Sequence, residues 1–214
     1  SITEEMILFR NVIFTRNRIL DDYSSYSNTT YIGGAVYIDI GNAVRIVSST
    51  FAHNFEAVYG GAVFVNHKNW VVMDKVVMKH NTATIGGAIA SFYNNGFLLS
   101  NVDAINNVAK SGGGAFYFGG NATFVFYLNV SLQSNIATDY GGALLYKGGY
   151  SMLVSNETSG LSIENSISSF GSAIALFDIP ITIVNSSTAT SVMGPIFIKD
   201  NKALYGGHIT SCLP

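Results

Sequence analysis

The stretch VVMDKVVMKHNTATIGGAIASF, residues 71–92, holds the pattern that decides the fold. Val71, Met73, Val76 and Met78 are two short alternating pieces separated by a step of three, which suits two strands joined by a bend. Asn81 and then Ala83 follow, and five residues after the Asn comes Gly86-Gly87-Ala88-Ile89. The arrangement recurs. Phe97, Leu99, Val102 and Ala104 precede Asn107 and Gly113-Gly114; Val125, Tyr127, Val130 and Leu132 precede Asn135 and Gly141-Gly142. Copies of the glycine landmark begin at Gly33, Gly60, Gly86, Gly113 and Gly141, with weaker ones at Gly171 and Gly206. Their spacings are 27, 26, 27, 28, 30 and 35 residues. Two motifs kept in step over this many copies mark a repeat protein, and a period near 27 marks a solenoid.

After each Gly-Gly comes a third apolar piece, such as Ala62-Val63-Phe64-Val65 or Ala115-Phe116-Tyr117-Phe118. Three short strands per repeat, rich in Val, Ile, Phe, Tyr and Thr with glycine at the corners, favour a β-helix over the competing helical repeat, which would want Leu, Ala, Glu and Lys at 3.6 spacing. They predict an all-β, right-handed parallel β-helix of about seven coils, with one domain over residues 1–214 and a polar loop insertion at 21–30. At a rise of about 4.8 Å per coil the rod is only about 34 Å long. Asn54, Asn81, Asn107 and Asn135 should form a stacked ladder whose amides satisfy the peptide groups of a tight corner, with Asn17, Asn165 and Asn201 in the same role at outlying coils. Val36, Val63, Ile89, Phe116, Leu144 and Ile174 should fill one inner stripe. Alternation turns Tyr37, Phe64, Tyr117 and Leu145 outward, so Tyr37, Phe64 and Tyr117 are a candidate binding surface.

Phe14-Thr15-Arg16-Asn17 and Phe51-Ala52-His53-Asn54, combined with Gly-Gly-Ala-(Ile/Leu/Val) at Gly33, Gly60, Gly86 and Gly141, resemble the repeats of the chlamydial polymorphic outer membrane proteins. In other coils Met78, Ala104, Leu132 and Ile198 replace the Phe. That resemblance covers most of the chain. It implies a β-helical passenger of a surface autotransporter adhesin, located outside the cell or on the outer membrane surface.

Composition bounds the function further. A formal charge of −2 points away from nucleic acid, and only 11% of residues are charged against about 25% in a typical soluble domain. Such a surface suits lateral assembly, a sugar coat, or a protein or glycan partner at a cell surface. No apolar run reaches the length of a membrane-spanning helix, and the first residues lack the features of a signal peptide. Cys212 has no partner in the sequence for an internal disulfide.

Many β-helices cleave polysaccharides, a chemistry that needs carboxylates gathered in one outward column. Here Asp74 and Asp103 fall three columns out of register, and nothing points to a catalytic set or a cofactor. His53 and His80 each precede a ladder Asn and should stack on adjacent coils, a weak candidate for metal binding because a usual site wants a third ligand. Five Asn-x-Ser/Thr sequons, at Asn28, Asn121, Asn129, Asn156 and Asn185, are candidate glycosylation sites. The expected function is therefore non-catalytic adhesion or binding, with a structural subunit of a fibre or coat as the alternative.

Overall fold

The computed structural model describes residues 6–18, 33–120, 124–148, 152–155, 160–177 and 196–212. The insertion at 21–30, with Asn28, and the sequons at Asn121, Asn156 and Asn185 lie outside the described residues. What is described is all-β and parallel throughout, a chain wound so that each strand pairs with its counterpart one coil away. Three sheets of ten, seven and six strands form the walls.

The ten-stranded wall is built from the alternating pieces. Trp70–Lys79, Gly96–Ile105 and Phe124–Gln133 each contain a left-handed residue near the middle: Lys75, Asn101 and Asn129, with φ of 55°, 51° and 55°. That residue is the bend read from the step of three, and it lets apolar positions on both sides of it face inward. Pairing is in register, with Val71 opposite Phe97 and Phe97 opposite Val125, and Met78 opposite Ala104 and Ala104 opposite Leu132. A second left-handed residue ends each piece: Arg16, His53, His80, Asn106, Ser134, Asn165 and Asp200 all have φ between 52° and 56°. The ladder position comes next.

At that corner the asparagines stack as a hydrogen-bonded column. Backbone N and Nδ2 of Asn54 both donate to Oδ1 of Asn81, at 3.1 and 2.8 Å. Asn81 donates in the same way to Asn107, and Asn107 to Asn135. Each amide also donates backwards, from Asn81 Nδ2 to the carbonyl of Phe51 and from Asn107 Nδ2 to that of Met78. Asn17 caps the column by donating to Asn54. Buried peptide groups at the bend that no strand can reach are satisfied this way. Asn165 is not in the column. Glu164 pairs with Gln133, so Ser166 takes the ladder place, and its backbone N donates to Oδ1 of Asn201 at 2.8 Å.

The Gly-Gly landmarks make the corner between the six- and seven-stranded walls. Gly86 has φ +65°, a conformation with no steric cost for glycine alone. Gly87 is needed for a different reason: a Cβ there would lie 2.2 Å from the carbonyl oxygen of Gly114 on the next coil. After the corner the inner stripe stacks as Val36, Val63, Ile89, Phe116, Leu144 and Ile174, all in register. It joins Phe97, Phe118, Met73 and Leu132 in one core running along the axis. Each such side chain taken out of water contributes about 1.5–3 kcal/mol.

Asn81→Ala should therefore be severe, because it takes the acceptor from two N–H donors of Asn54, takes the side-chain donor from Oδ1 of Asn107, and removes one of the bonds to the carbonyl of Phe51. A loss of roughly 3–5 kcal/mol is expected, from desolvation penalties of about 1–3 kcal/mol per buried group. Asn17→Ala, at the end of the column, should lose less than half as much. Paired urea denaturation curves with equal effects would show that the column does not act as described.

Candidate functional surface

A second asparagine column stands at the opposite corner, where the seven-stranded wall returns to the ten-stranded one. Backbone N of Asn42 donates to Oδ1 of Asn69, and that of Asn69 to Oδ1 of Asn95, both at 2.9 Å. Sequence reasoning passed over it, although a signal exists: Asn42, Asn69 and Asn95 each lie nine residues beyond the first Gly of a landmark. A third polar column lies in the open. Asn129 Nδ2 donates to Asn101 Oδ1 at 2.9 Å, and Asn101 Nδ2 to Asp74 Oδ1 at 3.0 Å. Asn129 is thus the one sequon asparagine among the described residues, exposed at a bend.

The outer face of the seven-stranded wall is less open than alternation suggested. Tyr37 is 46% exposed, but Phe64 is 3% and Tyr117 7% exposed, which corrects the expectation that all three form an accessible surface. The cause is a second apolar cluster outside the tube, where the six- and seven-stranded walls meet in a re-entrant corner. Tyr59, from the six-stranded wall, leans over Phe64 with ring centroids 5.5 Å apart. Phe92 meets Phe64 and Tyr117 edge-on, at 5.4 Å each. Volume is shared between coils: the column of Tyr37, Phe64, Ala90, Tyr117, Leu145 and Ala175 has small residues at Ala90 and Ala175. Phe92 and Phe177, two residues further on the same strands and hence on the same face, join the cluster there. Tyr117 reaches over Gly119, where a Cβ would sit 2.5 Å from its hydroxyl.

The accessible rim of this corner is aromatic and lightly charged. Tyr93, Phe170 and Tyr205 are exposed along it, and Tyr140, Phe170 and Tyr205 follow one another at centroid distances of 5.4 and 5.5 Å. At the N-terminal end Tyr37 stacks on Phe64 at 5.6 Å and its hydroxyl donates to Asp39 at 3.0 Å. Partial burial, and then that hydrogen bond, raise the Tyr37 phenol above its ordinary range. Hydrogen bonds from Asn66 and Tyr37 hold Asp39 below the usual carboxylate range. Burial, with smaller contributions from Tyr59 and Tyr93, pushes the Tyr117 phenol up to about 12.

His53 and His80 stack as their spacing predicts, with ring centroids 4.9 Å apart and planes 10° from parallel. Ring-nitrogen lone pairs lie in the ring planes, so two parallel rings do not converge on one ion. Among the described residues no group of three or more His, Cys, Asp or Glu is placed to share a metal. Asp74 and Asp103 stand opposite Ser100 and Val77, in separate columns. Cys212 ends a strand of the seven-stranded wall, opposite Phe177. No helix among the described residues is long and apolar enough to cross a membrane.

No protein-family model matches the chain, and no solved structure matches it. Among curated proteins it is similar to the probable outer membrane protein PmpE of Chlamydia trachomatis, at 36% identity over 114 residues. The match covers 44% of this chain and 12% of the relative, so only a small part of that longer protein is represented.

Burial of Tyr117 has a measurable signature. Its proton is held more tightly in the folded than in the unfolded chain, so its contribution to stability is fully present below about pH 10 and is lost as the pH rises towards about 12. In an ultraviolet pH titration, Tyr117→Phe should remove one late-ionising phenol and leave the earlier ones in place. Removal of an early-ionising phenol instead would place Tyr117 in solvent. The likeness to PmpE, though partial, is to a protein named as lying in an outer membrane.

Proposed function

We propose that this chain is a β-helical segment of a cell-surface or secreted protein, and that it binds without catalysing, through the side of the rod. The observation that carries the reading is the re-entrant corner, where Tyr93, Phe170 and Tyr205 stand exposed on a buried aromatic bed. A rigid bed holds these rings at fixed separations, and aromatic side chains offer large contact area for little lost conformational freedom. Similarity to an outer membrane protein supports the location. Acidic residues spread over separate columns favour binding over hydrolysis or elimination of a polysaccharide. The partner is a protein or glycan at a cell surface, and Asn129 is the described position best exposed to carry a glycan.

A second reading, a subunit of a fibre or coat, is favoured by the ends of the core. Ile7 lies in the inner column of Val44 and Val71 yet is 46% exposed, and Ile209, beneath Ile174, is 53% exposed. Further coils or another copy stacked on these ends would cover them.

Binding of the purified chain to cultured cells and to a glycan array tests the first reading. Tyr93→Ala and Phe170→Ala, both at the rim, should each lower the signal severalfold without shifting the melting temperature by more than a few degrees. Unchanged binding in both variants rules out the aromatic corner. Fibres in a sedimentation experiment, with no binding to either target, transfer support to the structural reading.

A further inference from the structure

Cationic side chains are unevenly distributed on the rod. Seven of the eleven lysines and arginines precede residue 81. Arg16, His53 and His80 occupy one column at successive coils, as the pairing of Thr15 with Ala52 and of Ala52 with Lys79 requires. All three are exposed, and Lys79 is exposed beside them. Their backbones are fixed: each is left-handed, with φ of 55–56°, and each donates its N–H to the coil above, to Ala52, Lys79 and Ile105 respectively, at 3.1 Å. The neighbouring ladder Asn17, Asn54 and Asn81 lock the same corner. Further along, the column becomes Asn106, Ser134, Asn165 and then Asp200, so its cationic side chains are confined to three coils.

We propose that the column Arg16–His53–His80, flanked by Lys79, is a docking stripe for an acidic polysaccharide lying along the rod axis. The 4.9 Å separation of the two imidazoles is close to the length of one pyranose residue in an extended chain, so each coil would meet one sugar and its carboxylate or sulfate. Duplex DNA, in which each strand places a phosphate about every 3.4 Å of helix axis, does not share this repeat. Two stacked imidazolium ions beside an arginine repel one another, and an anion between them relieves that repulsion. Binding is therefore coupled to protonation of the two imidazoles and is strongest when both carry charge. The other charged groups nearest the column are Arg18, Glu56 and Asp103, while Arg10, Arg45, Asp74 and Lys75 lie farther back along the ten-stranded wall. Arg18 and Glu56 form an ion pair with each other, and Asp103 lies three residues before Asn106, outside the column. The proposal rests on the surface reading only for where the polysaccharide would be met.

The test uses the purified full chain with dextran sulfate and polygalacturonate as probes, neutral dextran as blank, and a DNA duplex as competitor class. At about pH 5.5, binding of at least one acidic polysaccharide should weaken roughly ten- to fortyfold between 50 and 200 mM salt, as expected for release of two or three counterions. At about pH 8 both the affinity and the salt dependence should fall. His53→Gln combined with His80→Gln should reproduce the pH 8 behaviour at pH 5.5, Asn106→His should extend the stripe and tighten binding, and Lys110→Gln, on another wall, should do neither. The proposal is overturned by no binding to either polysaccharide, by binding independent of pH, by an equal loss in Lys110→Gln, or by tighter binding to DNA. Cell binding that depends on Tyr93 and Phe170 is unaffected by any of these outcomes, so the two readings fail separately.

Discussion

The structure depends on how a coil turns a buried corner without stranding its peptide groups. Between the ten- and six-stranded walls the chain bends within two residues, and neighbouring strands cannot bond to everything the bend exposes. A side-chain amide, with two donors and a good acceptor, can bond to the backbone of its neighbour, to the amide of that neighbour and to a carbonyl across the corner. Asn54, Asn81 and Asn107 each do all three. Because Asn54, Asn81 and Asn107 each give to one neighbouring ladder amide and receive from the other, the column fixes the register of the coils it joins. All other columns inherit that register, including the inner stripe and the outer stripes that face a partner.

Most of this frame was legible because its parts recur at fixed offsets. The ladder and the inner stripe could be read from spacing, and the structure places Val63, Ile89, Phe116 and Leu144 opposite one another. Asn165 misled for a physical reason. The distance from ladder to glycine is five residues in some coils and six in others, so both Asn165 and Ser166 satisfied the pattern, and only the pairing of Glu164 with Gln133 separates them. Asn42, Asn69 and Asn95 are harder to read because the interval holds in only three coils, with Ala122, Tyr150 and Pro180 at the same offset from Gly113, Gly141 and Gly171.

The outer surface was harder to read. Alternation tells which side of a strand a residue occupies, and Phe64 and Tyr117 do lie outside the tube. It carries no information on whether another wall folds over that side. Tyr59 and Phe92 do so here, a tertiary effect that depends on the angle between two walls. Tyr37 is less covered because its strand is the last of the seven-stranded wall among the described residues, where the ring of Phe64 stacks on one face. The candidate site therefore shifts from the strand that suggested it to the rim of the corner beside it. Chemistry on this scaffold is organised by column: a change of one residue per coil alters a continuous stripe and leaves the core untouched.

Ser166 gives the rod a seam. Amide-to-amide bonding runs unbroken from Asn17 to Asn135, whereas at Ser166 a hydroxyl faces back to the carbonyl of Glu164 at 3.3 Å. Coils in a solenoid hold only their nearest neighbours, so cooperativity cannot leap a weak junction. At this junction the coils are joined by strand pairing and the packed core without an amide-to-amide bond, so the seam is the weakest joint of the side-chain column.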